Sequence, residues 1–236
     1  NKLQRGYTDL IDIWGSDHHG YISRVKAAID AMGYDSKKLT VLLVQFVSLW
    51  RGGEMVQMSS RSGQFVTLRD LRKEVGNDAA RFYYVMRKSE QHIDFDLDLA
   101  VSQSKDNAVY YIQYAHARVN SILNRAKEKG ITFDVASARQ VANLLALETE
   151  TEILAKLAAY PEILIRAANV YEPHQIGNYL KDLAALFHGW YAQDGVKFVD
   201  ETNIPLSQAR LLLSINVQQV LRNGLELLGV SAPEAM

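Results

Sequence analysis

The chain has 236 residues, a formal net charge of −1 and no cysteine. That length suits one large domain or two modest ones. The missing thiols exclude disulfides and thiolate zinc sites, and the near-neutral charge offers nucleic acid no broad basic footprint. In chain order, the sequence starts at Asn1 without a methionine and enters a strand almost at once, as expected of a chain lacking its N-terminal part. Leu10, Ile11, Ile13 and Trp14 read as a buried strand, and Gly15-Ser16-Asp17 turns it into a helix over Tyr21 to Met32 that Gly33 terminates. The apolar run Leu39 to Trp50 then closes a strand, helix, strand pattern, the remnant of a parallel α/β sheet. It is the longest such run, and with Gln45 and Ser48 inside it cannot span a membrane.

Ligands of open α/β sheets bind at the carboxyl ends of strands. A carboxylate there, Asp17, suits a ribose diol, and the imidazoles of His18 and His19 can stack on or hydrogen-bond to a base. Downstream, Gly52, Gly53, Ser59, Ser60, Arg61, Ser62 and Gly63 make a polar loop able to approach an anion, although the same residues also read as a solvated hairpin turn. Thr67 caps the next helix with Asp70 three residues on. A second helix starts near Asp78 and buries Ala79, Phe82, Tyr83 and Met86. Gln91 to Leu99 alternates as extended chain, with Phe95 and Leu97 inward and Asp94, Asp96 and Asp98 solvated or capping.

From Ser104 the pattern is helical. The first helix runs to Gly130, and further stretches cover Gln140 to Ala159, Glu162 to Val170, Gln175 to Tyr191 and Ser207 to Leu228, with a long loop from Ala192 to Pro205. Two aromatic clusters stand out: Tyr110, Tyr111, Gln113, Tyr114, His116 and Arg118, then Phe187, His188, Trp190 and Tyr191. Residues 104–236 carry 12 Lys+Arg against 14 Asp+Glu, so any RNA contact there rests on stacking and a local patch. No metal site is expected. Asp17-His18-His19 lacks further carboxylates from separate strands. The Asp94–Asp98 ladder has Leu99 and Lys105 where a calcium loop needs Gly and Glu.

Several segments, in order and together spanning nearly the whole chain, carry a specific likeness. They read WGSDHHGYISRVKAA from Trp14, RGGEMVQMSSRSGQFVTLRDL from Arg51, VGNDAARF from Val75, DFDLDLA from Asp94, YYIQYAHAR from Tyr110 and LRNGLELLGVSAPEAM from Leu221. Together they resemble the second half of the bacterial arginyl-tRNA synthetases. The resemblance implies an α/β plus all-α fold: the C-terminal remnant of a Rossmann-like catalytic domain (1–50), a signature loop with connecting helices (51–103), and an α-helical anticodon-binding bundle (104–236).

It also implies the chemistry. Such enzymes activate arginine with ATP, accompanied by Mg2+, to arginyl-adenylate, and then transfer the arginyl group to the 3′ end of arginine tRNA. ATP-binding residues would be Gly15, Asp17, His19, Met58, Ser59 and Ser60, with Ser59 and Arg61 catalytic. Tyr111, Tyr114, His116, Arg118, Tyr191 and Met236 would meet the anticodon arm. A monomer in the cytoplasm is expected, without a membrane partner. Gln57-Met58-Ser59-Ser60-Arg61 departs from the class I pattern Lys-Met-Ser-Lys-Ser/Arg by losing both lysines, which leaves Arg61 as its one cation; Arg51 is another candidate for the phosphate charge. The first class signature, His-x-Gly-His, occurs nowhere in the sequence, so this chain alone is expected to be inactive. The rival readings are a noncatalytic RNA-binding module with a vestigial nucleotide fold, and a manganese phosphoesterase.

Overall fold

Residues 1–58 and 65–236 are described by a computed structural model of the protein. They fall into two units, Asn1–Met58 with Arg87–Leu97 and Ser59–Met86 with Asp98–Met236.

In the first unit, β1 (Leu10–Gly15) pairs in parallel with β2 (Leu39–Val44), from Leu10↔Leu39 to Gly15↔Val44, and helix α1 (Ile22–Ala31) makes the crossover. The chain leaves α1 through Gly33 at φ +83°. The Gly33 amide donates to the Asp30 carbonyl and the Tyr34 amide to that of Ile29, the paired bonds that close a helix around a left-handed residue. A second sheet holds β3 (Val47–Arg51) between β4 (Glu54–Met55), antiparallel, and β5 (Ile93–Asp96), parallel. Gly52 and Gly53, both at positive φ, form a two-residue turn between β3 and β4. These glycines therefore belong to a hairpin rather than to an extended polar loop.

Two expectations need correcting here. The apolar run 39–50 is two strands in two sheets, broken where the Gln45 amide donates to the Ser89 carbonyl beside an exposed Phe46. β1 is a strand but not a buried one: Ile11 is 45% and Ile13 68% exposed. Its sequence is apolar on both faces, as in a sheet covered on both sides, whereas among the described residues β1 has β2 as its one strand neighbour.

In the second unit, α2 (Leu68–Val75) opens with Thr67 Oγ1 accepting from the Asp70 amide at 3.1 Å while Asp70 Oδ2 accepts from the Thr67 amide at 3.4 Å. α3 (Asn77–Val85) follows and buries Ala79, Ala80 and Phe82, with Tyr83 and Met86 half-buried. The extended stretch ends at Asp96, because α4 (Leu97–Val101) begins two residues before the expected end. Asn107 is buried and donates to the carbonyls of Ala100 and Ser102, which folds the chain into the start of α5 (Ala108–Glu128).

After α5 come α6 (Val135–Gln140), α7 (Glu148–Ala158), α8 (Tyr160–Asn169), α9 (His174–Ala192) and α10 (Ile204–Leu227). The sequence did not announce α6, which Asp134 starts by accepting from the Ser137 amide at 2.7 Å. The helix expected from Gln140 begins at Glu148, after a 3₁₀ turn at Ala142–Leu144. The core lies where α5, α9 and α10 pack on one another, around Ile112, Val119, Leu180, Leu183, Phe187, Val217 and Leu221, none of them exposed. Arg210 on α10 and Glu150 on α7 form a buried ion pair at 2.8 Å. Among the described residues no helix is long and apolar enough to cross a membrane.

Candidate nucleotide site and nucleic-acid interface

At the carboxyl end of β1 the chain passes from Gly15, in extended conformation, into a 3₁₀ turn over Ser16–Tyr21. Asp17 is exposed on that turn. A Cβ on Gly15 would lie 2.6 Å from Asp17 Oδ1, so glycine here leaves room for the carboxylate. Asp17 Oδ2 sits 3.6 Å from His18 Nε2. His19 folds back, its Nδ1 3.2 Å from the Ser16 carbonyl, and Ser16 Oγ donates to Gln45 Oε1 at 3.0 Å, tying the turn to the end of β2. Gly15, Asp17 and His19 are thus gathered on one exposed turn. Met58 is also exposed. Ser59, Ser60 and Arg61 lie outside the described residues. Among the described residues no group of three acids or histidines could hold a metal ion.

The second candidate site lies wholly on α5 and α9. Helical spacing puts Tyr111, Tyr114 and Arg118 on one stripe of α5. The Arg118 guanidinium is sandwiched, 4.4 Å from the Tyr114 ring centre and 4.3 Å from that of Tyr191 on α9. Cation–π contacts of this kind hold a planar cation against a ring face. Arg118 Nη1 also donates to His188 Nδ1 at 2.8 Å, and His188 Nε2 donates to the Tyr111 carbonyl at 3.1 Å. Tyr110 stacks on Tyr114 at 6.0 Å and 14°. Tyr114 and Tyr191 keep 37% and 38% of their surface, while Tyr111 is half-buried against His188. Arg118 is therefore a stacked and hydrogen-bonded guanidinium rather than a free phosphate hook.

Two expectations are corrected by burial. His116 has no exposed surface, so the RNA contact assigned to it does not hold in this structure; it lies on the stripe of Ile112 and Val119 that faces the core. Its Nδ1 donates to the Pro233 carbonyl at 2.8 Å and its Nε2 accepts from Arg222 Nε at 3.4 Å. Phe187 and Trp190 are fully buried, so the second aromatic cluster contributes Tyr191 and the edge of His188 alone. His188, which the sequence marked only as one of a cluster, is the acceptor that fixes Arg118.

His116 belongs to a series of contacts that straps the C-terminal tail to the bundle. Arg81 donates to the Leu228 carbonyl, Gln113 to the Ser231 carbonyl and to Asp78, and Asn120 to the Glu234 carbonyl. Ser231 hydrogen-bonds Asp78 as well. Met236 ends this strap with 53% of its surface exposed.

Arginine–tRNA ligase of Acinetobacter baumannii (strain AYE) is 82% identical over 236 residues, which is 100% of this chain and 39% of that protein. A crystal structure from Campylobacter jejuni described as an arginyl tRNA synthetase superposes with a TM-score of 0.85 at 34% identity, covering 100% of this chain and 49% of that one. Thermus thermophilus arginyl-tRNA synthetase gives 0.73 at 27%, covering 97% and 41%. The chain spans 39% of the length of the curated Acinetobacter ligases it matches. The family model of the DALR anticodon binding domain matches residues 112–236, more than half of the sequence and all but the first turn of the helical bundle, and the chain belongs to that family.

Proposed function

We propose that the chain is the anticodon-reading and nucleotide-completing part of an arginine–tRNA ligase. The whole enzyme joins arginine to ATP as arginyl-adenylate, releases pyrophosphate, and passes the arginyl group to a ribose hydroxyl at the 3′ end of arginine tRNA. In this reading residues 1–50 belong to the Rossmann-like catalytic domain, 51–103 carry the signature loop and connecting helices, and 104–236 bind the anticodon arm. Asp17 accepts hydrogen bonds from the adenosine ribose, and Gly15 and His19 shape the same turn. Met58, Ser59, Ser60 and Arg61 approach the phosphates, where Mg2+ accompanies ATP. Tyr111, Tyr114, Arg118, Tyr191 and Met236 form the RNA face. The enzyme acts as a monomer in the cytoplasm, which the lack of cysteine fits.

The observation that carries this reading is the exposed Tyr114–Arg118–Tyr191 stack, inside a domain of the anticodon-binding family and a sequence alike to the ligases from end to end. Single-stranded loops are read by stacking splayed bases on such rings, at about 1–3 kcal/mol per base. Tyr114→Ala and Tyr191→Ala should therefore each weaken binding of an arginine anticodon-arm hairpin by roughly 5- to 150-fold, with little change in melting temperature. Affinity measured beside thermal stability checks this. A loss of stability with no selective loss of binding would put these rings in the core and the RNA face elsewhere.

A further inference from the structure

The loop joining α9 to α10 has few apolar positions, yet it is fixed from within. Buried Arg210 donates Nε to Glu150 Oε1 at 2.8 Å and Nη1 to the Lys197 carbonyl at 2.9 Å. Ser207 Oγ accepts from the Asp200 amide at 2.8 Å and donates to the Asp200 carbonyl at 3.2 Å. The Asp200 carboxylate in turn accepts from the amide and hydroxyl of Thr202, which holds it below the usual carboxylate range. Phe198 and Val199 are buried, with Phe198 packed on Trp190 and Tyr191. A loop tied in this way is a preformed wall.

Between this wall and the C-terminal half of α5 lies a cleft of about 660 Å³, the size of a small-ligand site. Arg125 and Lys129 line it from α5, Lys197 and Glu201 from the loop, and Tyr191 and Phe198 beside them. Its cations are not equivalent. Lys129 Nζ is held by Glu201 at 3.2 Å, and Lys197 faces Asp200 at 3.8 Å. Arg125 is exposed, and its guanidinium has no hydrogen-bond or ion-pair partner among the described residues. A free planar fork of donors beside aromatic rings is the chemistry that takes a phosphate ester of a stacked base. The position is also right. Arg125 follows Arg118 by two helical turns, about 10 Å along the axis, and Tyr191 both stacks on Arg118 and lines the cleft.

We infer that this cleft receives the nucleotide next to the one stacked at Tyr114 and Tyr191, with Arg125 on its phosphodiester and Tyr191 and Phe198 beside its base. The inference rests on the reading of the α5–α9 face as an RNA site. The test is anisotropy of a labelled anticodon-arm hairpin titrated with the 236-residue chain across a salt series. Arg125→Gln should weaken binding about tenfold, as expected for one charged hydrogen bond. It should also flatten the slope of log affinity against log salt by slightly under one unit. Arg125→Lys should keep the slope and lose part of the affinity, and Arg166→Gln, on exposed α8 surface, should change neither. If Arg125→Gln binds with wild-type affinity and slope while Tyr114→Ala binds weakly, the cleft assignment is wrong and the RNA face stands. If the wild-type chain does not prefer the anticodon arm to a scrambled hairpin, the RNA reading itself fails and the cleft assignment with it.

Discussion

His116 on α5 and His188 on α9 are each held by bonds that require a neutral ring. His116 donates through Nδ1 to the Pro233 carbonyl and accepts through Nε2 from Arg222; His188 accepts from Arg118 and donates to the Tyr111 carbonyl. Burial pushes both below the usual histidine range. In each case a carbonyl works the other way and the nearby arginine adds to the lowering, while Glu234 also opposes it at His116. The sign of the consequence follows. A histidine whose folded pKa lies below its unfolded value of 6.5 binds fewer protons in the native state. Its contribution to stability is complete above that unfolded value and is lost as pH falls through the folded one. Melting temperature should thus drop between about pH 7 and pH 5. The His116→Gln, His188→Gln double variant should show a smaller drop over the same range. An unchanged pH slope in that variant, followed by calorimetry, would assign the acid sensitivity to other groups. Acidification should also release Arg118, since a protonated His188 cannot accept its hydrogen bond.

At the scale of elements, two glycines on packed helices make opposite forecasts. Gly224 on α10 faces α9: a Cβ there would lie 2.5 Å from Leu180 Cδ2 and 2.9 Å from Cδ1, and Leu180 is fully buried. Gly224→Ala gains helix propensity of up to about 1 kcal/mol, but crowding a filled core costs about 1–3 kcal/mol, so a net loss of roughly 1–2 kcal/mol is expected. Gly189 on α9 has nothing within 4 Å of its absent Cβ. Gly189→Ala should stabilise by about 0.5–1 kcal/mol, and thermal denaturation of the pair reads both signs. Helical spacing made much of this bundle legible. On α5, Ile112, His116 and Val119 repeat as one stripe and Tyr111, Tyr114 and Arg118 as another; the first is buried, the second forms the aromatic site. On α9, Phe187 and Trp190 share a face that goes inward, while His188 and Tyr191 share the next. Expecting His116 at an RNA face put residue type above spacing. Other features had no local signal. Where the run 39–50 breaks depends on Ser89, some 44 positions on, and the wall of the cleft depends on Arg210 reaching back to Lys197. Such bonds join residues far apart in sequence, which periodicity does not report.

At the scale of the whole molecule, charge and chemistry divide the work. A net charge of −1, with 12 Lys+Arg against 14 Asp+Glu in the helical half, cannot draw RNA by a long-range field. Recognition must come from contact, through stacked rings and one or two placed guanidiniums. In the proposed enzyme, activation of arginine needs groups beyond those of these 236 residues. The α-carboxylate must be held in line with the α-phosphorus of ATP, and charge developing on the departing pyrophosphate must be neutralised. The chain holds one exposed carboxylate on the β1 turn, a signature loop without its lysines, no His-x-Gly-His, and 39% of the length of its ligase relatives. The 236-residue chain should therefore bind the anticodon arm yet catalyse no exchange of pyrophosphate into ATP, even with arginine and arginine tRNA present. The two activities can be measured on one preparation. RNA binding with exchange at the level of a no-enzyme control is the expected pair of results. Exchange above that control, dependent on arginine and on tRNA, would mean that the Asp17 turn and the loop around Met58 suffice for chemistry, and that the missing signature is dispensable.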